Sequence, residues 1–249
     1  MISAIVLTKN EERNIERCIK SISFCSEIIV IDDYSNDKTL DIAKRNRAKV
    51  IKHHLNNNFS SQRNYGITKA KGEWVLFIDA DEVVPTDLKK EILSATKSND
   101  NTLGFYIKRK DFVFGKEMKY GELSSSGGFG NSKILRLARK KAGRWDREVH
   151  EYWKIDGKTN ELKNSILHYS HSDVKSFVSE INFFSTLHAL SLRKEGKKSS
   201  YLKIIIWPIG KFIYNYFFRL GFLDGREGLF VAIMMSFHSF LAWSKLLWD

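Results

Sequence analysis

Four short apolar runs recur early in the chain, Ile2 to Leu7, Ile28 to Ile31, Val50 to Ile51 and Trp74 to Ile78, with helix-like segments between them. Strands that are apolar throughout belong in sheets covered on both faces, and strands separated by helices pair in parallel through right-handed crossovers. The pattern predicts an α/β layer fold on a mostly parallel sheet, with ligands received at the carboxyl ends of the strands.

The intervening segments carry helix starts. Asn10-Glu11-Glu12 places carboxylates in a first turn ahead of Ile15, Cys18, Ile19 and Ile22, and Pro85-Thr86-Asp87 opens a helix through Leu88, Ile92 and Leu93. From about Lys97 to Tyr169 the pattern is irregular, with strand-like pieces at Gly104 to Lys108 and Lys133 to Leu137. Between them Ser124-Ser125-Ser126-Gly127-Gly128 is a flexible stretch able to order over a ligand.

After Asp173 the composition becomes helical, then strongly apolar and aromatic from Tyr201 onward. In Lys203 to Leu220 the residues Lys203, Lys211, Asn215 and Arg219 repeat at multiples of four, a narrow basic stripe on an amphipathic helix. Gly228 to Trp243 is apolar but shorter than the roughly 20 residues of a membrane span, which favours interfacial attachment over crossing. The expected division is a main domain over 1–172, with halves at about 1–95 and 96–172, and a helical membrane-associating extension over 173–249.

Lys and Arg number 41 against 29 Asp and Glu, a net charge of +12, which favours a polyanionic partner. Basic residues are scattered, as in Lys108 to Lys110, Arg139 to Lys141 and Lys197 to Lys198, and form no nucleic-acid reading motif. Cys18 and Cys25 make neither a CxxC pair nor a metal spacing, which suits a reducing compartment. The segment Met1 to Leu7 reads as a first strand and not as a signal peptide, so a cytoplasmic location is expected.

Chemistry concentrates where Trp74 to Ile78 ends in Asp79-Ala80-Asp81-Glu82. Spaced carboxylates at the carboxyl end of a buried strand can hold a divalent cation beside a phosphate ester. Asp32-Asp33 closes the second strand, where a carboxylate accepts hydrogen bonds from a base or ribose, while Asn36 and Asp37 read as helix caps. Arg63, in Gln62-Arg63-Asn64-Tyr65-Gly66, has the planar fork to meet a phosphate or brace a carboxylate.

Taken in order, Thr8-Lys9-Asn10-Glu11-Glu12, Asp32-Asp33, Gln62 to Gly66 and Asp79-Ala80-Asp81 resemble the family 2 glycosyltransferases over about residues 2 to 95. The resemblance implies a GT-A fold, a nucleotide-sugar donor, Mn2+ or Mg2+, and inversion at the anomeric carbon. It would place Thr8, Asn10, Glu12 and Asp33 around the uridine, Arg63 by the base or phosphate, Asp79 at the ribose and Asp81 on the metal. Lys9 stands where a tyrosine is common.

The later segments Lys133 to Leu137, Gly143-Arg144-Trp145, Val149-His150-Glu151 and Leu167-His168-Tyr169 look like the bacterial branch that adds glucose or heptose to the lipopolysaccharide or lipooligosaccharide core. Inversion needs a base for the acceptor hydroxyl, a role typically worth about 10²- to 10⁴-fold. Glu151 is the first choice and Glu148 the second, with Asp146 also in range. Arg136 and Arg144 would assist at the diphosphate, and His150 or His168 would contact the acceptor, the diphosphate or the metal.

The expected function is transfer of a sugar from UDP-glucose or a similar UDP-hexose, with ADP-heptose also considered, to a cell-envelope glycolipid. The expected setting is the inner face of the cytoplasmic membrane, reached through the C-terminal helices. Competing readings are transfer to a polyprenyl phosphate or a protein, and a nonenzymatic basic protein that binds lipid or nucleic acid.

Overall fold

The computed structural model describes residues 1–98, 100–123, 133–147, 151–171 and 173–248, the side chains of 170 and 171 excepted. Two compact units divide the chain, Met1–Arg109 with Ser132–His168, and Lys110–Asn131 with Tyr169–Asp249. The described residues 110–123, placed by sequence with the main domain, group with the helices. The Ser124 to Gly128 stretch, Glu148 and His150 lie outside the described residues.

In the first unit β1 (Ile2–Thr8), β2 (Glu27–Asp32), β3 (Lys49–Lys52) and β4 (Trp74–Asp79) pair in parallel in the order β3-β2-β1-β4. The helices α1 (Ile15–Ser21), α2 (Thr39–Arg45) and α3 (Phe59–Lys69) fill the connections. All four apolar runs are strands, each a residue or more longer than the run itself. Beyond the short β5 (Glu82–Val83) and α4 (Thr86–Ala95), the chain adds β6 (Gly104–Val113), β7 (Lys116–Glu117), β8 (Ile134–Arg139), β9 (Gly143–Asp146), β10 (Tyr152–Ile155) and β11 (Thr159–His171). The sheet continues from β4 through β8, β6 and β11 to β5, and the pairs β4 with β8, β6 with β8 and β5 with β11 are antiparallel.

The region that looked irregular in sequence is therefore largely strand. The alternation that marks it, buried Leu162 and Ile166 between polar neighbours on β11, is too sparse to stand out from a single chain.

Side-chain alternation sends the strands' apolar residues to both faces. Ala4, Val6, Val30, Leu76 and Ile78 pack with Ile15, Cys18 and Ile19 of α1 and with Leu88 and Ile92 of α4. Ile5, Ile29, Ile31, Val75 and Phe77 pack on the other face with Trp145 and Trp153 of the β9–β10 hairpin. Gly66 on α3 lets that helix lie close to β1, since a Cβ there would meet Ile5 Cγ2 at 2.8 Å.

The second unit contains α5 (Val174–Lys194), α6 (Tyr201–Ile213) and α7 (Gly225–Trp248), with a π turn at Tyr214–Phe218 and a 3-10 turn at Gly221–Asp224. Its core joins Val113 and Met118 to Phe177 and Ile181 of α5 and Val231 and Met234 of α7. The predicted single helix from Lys203 to Leu220 is interrupted: α6 contains Pro208, passes into the π turn, and the chain reverses at Leu220, whose φ is +57°. The last helix is longer than its apolar stretch suggested. Gly221–Trp248, 28 residues with an 18-residue window of mean hydropathy 1.4, is long and apolar enough to cross a membrane.

Candidate active site

β4 ends at Asp79, and the turn that follows closes on itself because Glu82 Oε2 accepts the Asp79 backbone N–H at 2.8 Å. Arg136, from β8, lies over this turn: its Nη2 donates to Asp79 Oδ2 at 2.7 Å and to Glu82 Oε1 at 2.8 Å. Arg63, from α3, takes the other oxygen, with Nη2 at 3.1 Å from Asp79 Oδ1, and its Nε donates to Glu151 Oε1 at 2.9 Å. The Arg63 guanidinium also sits 4.7 Å from the Trp145 ring centroid, an aromatic support on the hairpin side. Two arginines and three carboxylates thus form one chain of ion pairs, Glu151–Arg63–Asp79–Arg136–Glu82.

Electrostatics follow from this order. Burial opposes ionisation of Asp79, but Arg136 and Arg63 outweigh it and hold the carboxyl well below the usual carboxylate range. Glu82 has no exposed surface, and burial pushes its carboxyl up despite Arg136. Arg136 remains charged, because Asp79 and Glu82 more than offset its desolvation. The Nη1 atoms of Arg63 and Arg136 and the Oγ1 of Thr8 are buried and meet no hydrogen-bond partner among the described residues. Such donors are costly to leave unmade, and they suit an anionic ligand.

Asp81 belongs to a second constellation. β5 pairs with β11 so that Glu82 faces His168 across the ladder, and His168 Nε2 comes to 3.1 Å from Asp81 Oδ2. Burial opposes ionisation of Asp81, and His168 overcomes it. Glu11, at the opening of the first helical segment, is pushed up to about 7 by burial and then by the Asp81 charge. Among the described residues no group of three or more His, Cys, Asp or Glu side chains is placed to hold a metal. Asp81 and His168 supply one oxygen and one nitrogen, a donor pair that fits a divalent ion whose remaining ligands are phosphate oxygens and water.

Of the residues proposed for the nucleotide, Thr8 is buried at the end of β1, and Asp33 follows β2 with its N–H donating to the Thr8 carbonyl at 3.0 Å. Lys9 Nζ reaches Asp33 Oδ2 at 2.7 Å. Asn10 is at φ +56°, its Oδ1 accepting from Asn36 N at 2.9 Å. Glu12 is exposed and turned toward the next loop, accepting from Lys38 N at 3.1 Å, so in this structure Asn10 and Glu12 serve as loop ties.

On the acceptor side Glu151 joins the Arg63 network, whereas Arg144 and Asp146 stand exposed on the face of β9 opposite buried Trp145. Arg136 is committed to two carboxylates of the protein.

Sequence reasoning passed over Glu11, Glu82 and Asn64. Glu82 had a local signal, a third carboxylate directly after the Asp-Ala-Asp. Glu11 had none, because its neighbour Asp81 is brought by the parallel pairing of β1 with β4. Asn64 has both side-chain atoms on the Trp145 backbone, donating to its O and accepting from its N at 2.9 Å each, and so pins the β9–β10 hairpin to α3.

A central parallel strand that ends in paired carboxylates, flanked by buried arginines and by an Asp–His pair, makes an α/β enzyme with a charged site at its ligand edge. The profile of glycosyl transferase family 2 matches residues 3–150, and the chain belongs to that family. An uncharacterized glycosyltransferase of Rickettsia typhi is 32% identical over 98% of this chain and 86% of its own length. The lipopolysaccharide core biosynthesis glycosyltransferase LpsC of Rhizobium meliloti is 25% identical over 98% of this chain and 91% of its own.

Among solved structures, S. aureus TarS 1-349 in complex with UDP-GlcNAc superposes with a TM-score of 0.50 at 16% identity, over 96% of this chain and 81% of that one. Glucosyl-3-phosphoglycerate synthase from Mycobacterium tuberculosis, in complex with Mn2+, UDP and phosphoglyceric acid, has the same TM-score at 16% identity over 80% of each chain. The fold is GT-A, and the protein is a glycosyltransferase.

Proposed function

We propose that this protein is an inverting, metal-dependent hexosyltransferase that moves a sugar from a UDP-sugar to a glycolipid of the cell envelope, of the lipopolysaccharide-core class. The observation that carries the donor half is the Asp79-Ala80-Asp81 turn, with Asp79 clamped by two arginines and Asp81 set against His168. The acceptor class rests on similarity to LpsC along nearly the whole chain.

Asp81 and His168 would hold Mn2+ or Mg2+, and that ion would supply electrostatic neutralisation of the departing diphosphate. The remaining work falls to the chain itself. Asp79, kept ionised by Arg136 and Arg63, accepts hydrogen bonds from the ribose. Arg63 and Arg136, both buried and held on Asp79, add fixed positive charge beside the donor site. Glu151, oriented by Arg63 Nε, takes the proton of the acceptor hydroxyl.

The second unit supports attachment to a bilayer surface. Sequence periodicity marked a basic stripe and an apolar remainder on α6 and the turn after it, and the structure turns the stripe inward. Lys211 Nζ and Asn215 Nδ2 both bind the Glu122 carboxylate, at 2.7 and 2.8 Å. Leu202, Ile205, Ile206 and Ile209 are left outward, each more than half exposed. An apolar helix face of this kind, with tryptophan and lysine around it, lies in a membrane interface.

The test is thermal stabilisation by UDP, ADP, GDP and CDP, with and without Mn2+, for the wild type and Asp81→Ala. Mn2+-dependent stabilisation by UDP that vanishes in Asp81→Ala is expected, and indifference to every nucleotide would refute the donor reading. For the membrane part, Ile205→Glu/Ile209→Glu should release the protein from vesicles of anionic lipid, and unchanged vesicle recovery would rule out this face.

A further inference from the structure

The β9–β10 hairpin is a two-stranded sheet of its own, with no ladder to the large sheet among the described residues. A ribbon of two short strands is marginal by itself, so its placement depends on what it packs against. Trp145 of β9 stands directly across from Trp153 of β10, and both rings are buried. Each meets the Phe77 ring edge-on, at 5.1 and 5.2 Å between centroids. Apolar burial of this kind holds the hairpin down on β4, but it is non-directional and leaves the strands free to slide.

Direction comes from Asn64. In an antiparallel pair, alternate residues of an outer strand turn their N–H and C=O away from the partner strand. At Trp145 one side chain takes both groups: Asn64 Nδ2 donates to the carbonyl and Oδ1 accepts from the N–H, each at 2.9 Å. Two bonds of that length, run in opposite senses, fix β9 along its own axis as a neighbouring strand would. The helix that carries Asn64 is fixed in turn. Gly66 brings α3 against Ile5 of β1, and Asn58 caps its start by accepting the Ser61 N–H at 2.8 Å. Glu151 directly precedes β10, whose first residue Tyr152 pairs with Asp146 of β9. Consecutive residues of α3 therefore hold the hairpin backbone, through Asn64, and the carboxylate it delivers, through Arg63 Nε at 2.9 Å.

We propose that Asn64 is a positioning residue for the transfer step: through the β9–β10 hairpin it sets where Glu151 stands. The inference rests on the reading of Glu151 as the base for the acceptor hydroxyl. Arg63 does not do this alone. It meets Glu151 through one nitrogen and shares its guanidinium with Asp79, so it orients the carboxylate without fixing the backbone beneath it. A reacting group displaced by about 1 Å costs up to about 10²-fold in rate. Donor binding, which uses the other end of α3's neighbours, is left alone.

The experiment measures kcat for UDP release from UDP-glucose with core lipopolysaccharide as acceptor, and UDP affinity by calorimetry with Mn2+. The proteins are the wild type, Asn64→Ala, Asn64→Gln, Glu151→Gln and the two double variants. Asn64→Ala should lower kcat about 10- to 10²-fold with UDP affinity within about twofold of the wild type. Asn64→Gln keeps both polar groups but carries them one methylene farther out, and should lower kcat by at least about threefold; it makes the same comparison should Asn64→Ala not fold. In the Glu151→Gln background there is no base to misplace, so either Asn64 substitution should change kcat by less than about twofold. An equal fold-loss in both backgrounds, or UDP affinity that falls together with kcat, overturns the positioning role as a merely structural effect. An unchanged kcat in both Asn64 variants overturns it outright while leaving Glu151 as the base. If Glu151→Gln itself keeps kcat within about threefold, or the wild type releases no UDP, the base reading falls and the inference with it.

Discussion

Replacing Arg136 by methionine tests the buried charge chain at its centre. Arg136 is 3% exposed and touches Asp79 Oδ2 at 2.7 Å and Glu82 Oε1 at 2.8 Å, while Glu82 is fully buried. At an effective dielectric of about 20 and a charge separation of about 4 Å, each contact is worth about 4 kcal/mol before desolvation. Methionine fills similar volume but strands Glu82 and leaves Asp79 with Arg63 alone, and breaking a buried pair from one side costs about 3–5 kcal/mol.

The assay is amide exchange of β4, which reads the opening free energy of that strand and should speed up by about 10²- to 10⁴-fold. The wild-type contribution from Asp79, whose carboxyl is held low, is present above the unfolded aspartate range near pH 4 and is lost below it. The difference between variant and wild type should therefore hold steady from about pH 7 to near pH 4 and shrink as pH falls further and Asp79 takes up a proton. Adding Glu82→Gln to Arg136→Met should restore at least about 1 kcal/mol, the coupling expected of direct neighbours. A cost under about 1 kcal/mol, independent of pH and additive with Glu82→Gln, would refute the claim that these charges depend on one another.

Glu11, held protonated up to about 7 against an ordinary 4.5, makes the folded state bind a proton more tightly than the unfolded chain. Its charging should cost the metal-free wild type at most about 3 kcal/mol as pH rises from 5 to 8; Glu11→Gln should remove that loss, and parallel stability–pH curves in chelator would count against it. Glu151→Gln keeps an oxygen for Arg63 Nε but cannot take a proton, so kcat should fall about 10²- to 10⁴-fold with donor KM little changed. A kcat within about threefold of wild type would remove Glu151 from the base role.

How much was visible beforehand follows from the range over which each feature is encoded. The apolar runs that became β1 to β4 and the carboxylates closing β4 are local patterns, written in a few consecutive residues, and the structure keeps them. So is the helix start at Asp173, whose carboxylate accepts the Ser176 N–H at 2.8 Å. β11 was missed because its buried residues are few among polar ones, and the break after α6 because the repeat at multiples of four runs on to Arg219 and nothing in it marks the left-handed Leu220.

The sequence by itself determined the parallel half of the sheet, the position of the Asp79-Ala80-Asp81 turn at its ligand edge and the family, since periodicity and contiguous motifs survive in one dimension. Only the tertiary structure decided which charges neutralise which. Arg63 meets Glu151 across 88 positions and Arg136 meets Asp79 across 57. The β5–β11 register, not any motif, sets His168 against Asp81. Whether a carboxylate is a clamp, a ligand or a base depends on distances of a few ångströms and on desolvation, and both arise only when strands distant in the chain are paired and buried.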